Sequence, residues 1–145
     1  MTSERNKRFT RVDPVTDAEP DAVHPAPTPS ARQNFLDAVE EITHALALAT
    51  PPGAGGITRR SHEYYAANMA IIRTAALFEE DSFVPFHRSV PTSQRRAIAT
   101  MRNIAAHAGY RQMDDTVLWE TLTSDLPRLL SSLRTAAEPE RDSPQ

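Results

Sequence analysis

Four stretches of this chain repeat apolar residues at the spacing of an α-helix, and proline-rich, glycine-rich or polar segments separate them. In the first, Phe35, Leu36, Val39, Ile42, Leu46 and Ala49 fall on one face. Ser30 and Gln33 form an S-x-x-Q capping box ahead of it, and Pro51-Pro52 with the turn GAGG ends it, which predicts a helix over about 31–49. Ser61 can cap a second helix, with Tyr64, Tyr65, Met69, Ile72, Ala76 and Leu77 as its apolar stripe and Glu63, Asn68 and Arg73 lying elsewhere. In SFVPFHRSVP, Pro85 and Pro91 allow no long regular helix and leave room for a short helical turn.

Thr92 and Ser93 offer caps for a third helix over 93 to about 108, with Gly109 placed as a left-handed C-terminal cap. Asp114 or Asp115 then caps a fourth helix. Its Val117, Leu118, Leu122, Leu126, Leu129, Leu130 and Leu133 form the strongest stripe in the chain, and Pro127 should kink it or mark a restart after Ser124. No segment alternates as a strand should. The pattern predicts an all-α, antiparallel bundle of four to five helices, in which a leftover apolar stripe would favour a homodimer.

Composition narrows the folded part. Residues 1–30 hold five of the twelve prolines and no sustained apolar pattern, so they are expected to form a disordered arm. AAEPERDSPQ is polar as well, which leaves 31–135 as the folded domain and 136–145 as a tail. Within 31–135 eleven arginines balance eleven acidic residues, so the net charge of -3 comes from the tails and nucleic acid could be met only locally. The absence of cysteine removes disulfides and thiolate chemistry. No apolar run approaches the ~18 residues of a membrane span, and a soluble, cytoplasmic protein is expected.

Candidate chemistry concentrates in MRNIAAHAGY, residues 101–110. At about 100° per residue, with Ile98 at zero, Ala97, Ile98, Met101, Ile104, Ala105 and Ala108 share a core arc. Arg95 and Arg102 fall near 40° to 60° and Asn103, Arg96 and His107 near 140° to 180°, so a polymer backbone could lie between Arg102 and His107. Arginine binds phosphate bidentately, and histidine, titrating near neutrality, can exchange a proton with a ribose oxygen, which are the parts of a metal-independent ribonuclease. A solvated helix end, whose macrodipole favours cations, explains the same residues without chemistry.

Other signals carry less. GAGG lacks the Lys-Ser/Thr of a phosphate-binding loop, the five histidines show no metal-ligand spacing, and no serine-hydrolase signature is present. No metal or cofactor is expected. Tyr64, Tyr65 and Trp119 read as core or seam residues before base-stacking ones.

From Arg32 to Leu133 the chain resembles the HepT-type toxins of the HEPN superfamily, through MRNIAAHAGYRQMDDTVLWETLTSDLPRLL. Arg102, Asn103, His107, Asp114, Asp115, Val117, Trp119, Asp125, Leu126, Pro127 and Leu129 follow that family's order, and AANMAIIRTAALFEE is similar to its second core helix around Asn68. The resemblance implies a dimeric helical bundle and the toxin of a type VII-like toxin–antitoxin pair. Arg102 and His107 would then be catalytic on RNA and Arg95, Arg96 and Asn103 would bind substrate, while a nucleotidyltransferase antitoxin would silence the toxin by AMP transfer to Tyr110. Two departures stand out: Ala108 and Gly109 both separate His107 from Tyr110 where the family usually has one residue, and Arg73-Thr74 replaces an acidic pair member in the second helix. A helical dimer that binds nucleotide, RNA or protein without catalysis is the alternative.

Overall fold

A computed structural model describes residues 28–106 and 114–139. The described residues form α1 (Pro29–Ala49), α2 (His62–Glu79), a 3-10 turn (Asp81–Phe83) running into the short α3 (Val84–His87), α4 (Thr92–Ala106), α5 (Asp115–Glu120) and α6 (Leu126–Ala137). No strand occurs among them, and the all-α bundle expected from the sequence is observed.

Two helix starts follow the sequence closely. Ser61 caps α2 by accepting from the Tyr64 amide, and Asp114 caps α5 by accepting from the Thr116 and Val117 amides. The start of α1 differs. Thr28 is the cap, accepting from the Ala31 amide, while Gln33 donates to Asp37 instead of reaching back to Ser30. Pro29 explains the shift, because its fixed φ and missing N–H suit the first helical position and so place the cap one residue before it.

The core lies between α1, α2 and α6. Phe35, Val39, Ile42, Leu46 and Ala49 of α1 meet Tyr64, Ala67, Ile71 and Leu77 of α2 and the leucines of α6. One end is closed by aromatic packing, with Phe35 stacked against Phe86 at 4.8 Å and edge-on to Phe83 at 5.3 Å. Across the α1–α6 seam Arg134 donates to the Thr43 hydroxyl at 3.0 Å.

The inward face of α2 is not the one its large side chains suggest. Ala67, Asn68, Ala70, Ile71, Thr74 and Ala75 are buried beside Tyr64 and Leu77, whereas Tyr65, Met69 and Ala76 face outward and Ile72 is half-buried. Small residues allow close approach to α1, and Thr74 satisfies its buried hydroxyl on the Ala70 carbonyl at 2.7 Å.

α5 and α6 form one helical path interrupted by a π-type turn over Thr121–Asp125. Pro127 carries no N–H for the Thr123 carbonyl, and Thr121 and Thr123 direct their hydroxyls to the Val117 and Trp119 carbonyls. Both features loosen the regular ladder and locate the restart at Leu126. Leu118, Leu122, Leu126, Leu129, Leu130 and Leu133 stay buried across the interruption, while Val117 is exposed and Trp119 half-buried.

Candidate functional site

α4 positions the polar residues of interest by burying a narrow strip. Ile98, Met101 and Ala105 are buried, Ile104 is half-buried, and Ala97, assigned above to the core arc, is exposed. The remaining circumference is therefore free to carry charge. Arg95, Ala99 and Arg102 run along the side that faces α2, and Arg96 and Asn103 stand exposed next to them.

Arg102 is partly shielded and forms an ion pair with Glu79 at the end of α2, its Nη1 donating to Oε1. Sequence reasoning did not single out Glu79. The two residues are 23 positions apart, and only the packing of α4 on α2 reveals the partner. Arg73 itself is exposed.

Between the two helices lies a cleft of about 340 Å3 lined by Ala75, Phe78 and Glu79 of α2 and by Thr92, Arg95, Arg96 and Ala99 of α4. Arg95 donates to the Thr92 hydroxyl at 3.3 Å, and its Nε is buried without an acceptor. Two arginines on one wall, with Arg102 beyond them, present donors suited to phosphate oxygens. His87 packs beneath, edge-on to Phe78 at 5.2 Å, and its buried ring nitrogens reach no other residue. Burial lowers its pKa below the ordinary 6.5, a bond to its own backbone partly opposes this, and the charge of Arg95 adds to the lowering.

On its other side α4 borders a second cavity, about 250 Å3, lined by Gln94, Ala97, Ile98 and Met101 and by Thr121, Asp125, Leu126 and Leu129. Asn68 is 5% exposed and keeps both amide atoms without a protein partner. Such groups are costly to bury unsatisfied, and they gather at functional positions more than elsewhere.

The structure thus brings Arg95, Arg96, Arg102 and Asn103 onto one helix side. His107, Tyr110 and the capping Gly109 lie outside the described residues. Among the described residues, no group of three or more His, Asp or Glu side chains could hold a metal ion, and no helix is long and apolar enough to cross a membrane.

Comparison with known proteins adds a family. No curated protein and no solved structure gives a match. A family model described as ribonuclease HepT-like matches residues 59–136, from the turn before α2 almost to the end of α6. That span exceeds half of the 145 residues and contains the arginine side of α4 together with the R-N-x(3)-H segment. The chain belongs to the HepT-like ribonuclease family.

Proposed function

We propose that this protein is the toxin of a toxin–antitoxin pair, a metal-independent ribonuclease in which Arg102 and His107 act on RNA. The observation that carries the reading is the family match spanning a helix side where Arg95, Arg96, Arg102 and Asn103 stand together beside a cleft. Arg102 holds the scissile phosphate and stabilises the charge that develops on it. His107 exchanges a proton with a ribose oxygen as a 2′-hydroxyl attacks the adjacent phosphorus and the 5′-oxygen leaves. The products are a 2′,3′-cyclic phosphate and a free 5′-hydroxyl. Arg95, Arg96 and Asn103 bind the flanking strand.

The active form in this reading is a homodimer. Tyr65 and Met69 expose 59% and 45% of their surface on one face of α2, in line with Ile72 and Ala76. That apolar stripe, unpartnered in the single chain, supports burial against a second copy. A nucleotidyltransferase antitoxin silences the toxin by placing AMP on Tyr110.

Expression of the chain alone tests the reading. Growth arrest with RNA decay is expected, His107→Ala should abolish both, and co-expression with a nucleotidyltransferase encoded by an adjacent reading frame should add AMP mass to the tryptic peptide containing Tyr110. A wild-type chain that is harmless alone and inert on RNA contradicts it.

A further inference from the structure

The cleft between α2 and α4 contains an acid where the rest of its charge is suited to an anion. Arg95 and Arg96 line one wall, Glu79 lines the other, and Ala75, Phe78 and Ala99 make the apolar part. The Glu79 side chain is 59% exposed and its ion partner Arg102 is 29% exposed. A pair this open to solvent contributes little to stability. Folding alone gives little reason for a carboxylate that competes with phosphate for Arg102.

We propose that this cleft is a nucleobase subsite, in which Glu79 selects an unpaired guanine beside the phosphate held by Arg102. The proposal rests on the ribonuclease reading for its substrate class. A phosphate entering the site takes the Arg102 guanidinium in a bidentate grip and frees the carboxylate. An ionised carboxylate only accepts hydrogen bonds, through two oxygens. Guanine offers it two adjacent donors on the Watson–Crick edge, the N1–H and the exocyclic amine. Adenine and cytosine offer one amine next to an acceptor, and uracil one N–H between two acceptors, so each turns a lone pair towards the carboxylate.

The remaining lining suits the ring and its backbone. Phe78 and the Arg95 guanidinium supply surfaces against which an unpaired base can stack. Arg96 and Arg102 are separated by about 9 Å along the helix axis, so neighbouring phosphates of one strand can reach both. Glu79 therefore changes partner, from Arg102 in the free protein to the base in the complex.

Binding to the full-length His107→Ala protein, in which turnover should be slowed, tests this by fluorescence anisotropy. The probes are short uridine RNAs carrying a single central guanine, adenine, cytosine or uridine. The guanine probe should bind about tenfold more tightly than the others. Adding Glu79→Gln, at an exposed position that tolerates the change, should reduce the preference below about twofold. Phe78→Leu, which keeps an apolar side chain but removes the aromatic face, should weaken all four probes. Equal binding of the four, or a guanine preference that survives Glu79→Gln, overturns the proposal. Cleavage by wild-type protein is scored separately: guanine selection by Glu79 without any cleavage rejects the ribonuclease reading alone, and cleavage without that selection rejects the subsite alone.

Discussion

α1 and α4 are both amphipathic helices, and they are held in different ways. α1 buries Phe35, Val39, Ile42, Ala45, Leu46 and Ala49 along its whole length, while α4 buries only Ile98, Met101 and Ala105. α1 is fixed by continuous packing against α2 and α6. α4 rests on a narrow strip with the arginine cleft on one side and a second cavity on the other. The difference separates a scaffold, where volume matters, from the helix that carries the proposed site, where packing is reduced to what keeps the helix in place.

The contrast can be broken most directly by equal truncations on the two sides. Ile71→Ala, in the α1–α2 core, should destabilise the fold by about 2–5 kcal/mol in chemical denaturation. Ile98→Ala borders the 250 Å3 cavity and so already lacks neighbours on one side; its cost should fall at or below the low end, about 2 kcal/mol. Equal losses would show that α4 is as firmly packed as the scaffold.

Asp114→Ala should have a smaller effect, about 1 kcal/mol, by leaving the Thr116 and Val117 amides without their cap. Thermal melting should register it, and Asp114→Ser should recover most of the loss. No change would mean that the cap is redundant with the packing of Leu118.

The smallest effect concerns pH. His87 is buried next to Phe78 and under the charge of Arg95, and its folded pKa lies below the ordinary 6.5. The unfolded chain therefore binds more protons than the folded one as pH falls through and below 6.5, and stability drops in that window. In melting curves recorded across it, His87→Leu should flatten this part of the pH dependence. An unchanged slope in the variant would assign the acid sensitivity to other groups.

These regions also differ in how far the sequence exposed them. Leucine spacing after Asp114 marked the inward face of α5 and α6 across the π-type turn, because six large side chains with one period leave a single consistent solution. The inward face of α2 escaped, since alanine, threonine and asparagine carry little hydrophobic signal yet fill a close helix contact better than Tyr65 or Met69. The start of α1 turned on Pro29, which sets the cap at Thr28, two residues before the Ser30 hydroxyl that the capping pattern favoured. Within the site, the common helix side of Arg95, Arg96, Arg102 and Asn103 follows from helical period alone. Glu79 does not: its role depends on how α2 and α4 align, which local patterns do not encode.

The proposed function puts the arginine side of α4 in an RNA-cleaving centre. Purified full-length protein incubated with single-stranded RNA in excess chelator tests it, with His107→Ala and Arg102→Ala alongside and the folding of each checked by its melting curve. The wild type should cut RNA and leave 2′,3′-cyclic phosphate ends, while each substitution lowers the rate by a factor on the order of 10²–10⁴ with the fold intact. Cleavage that persists unchanged in both variants would contradict the account.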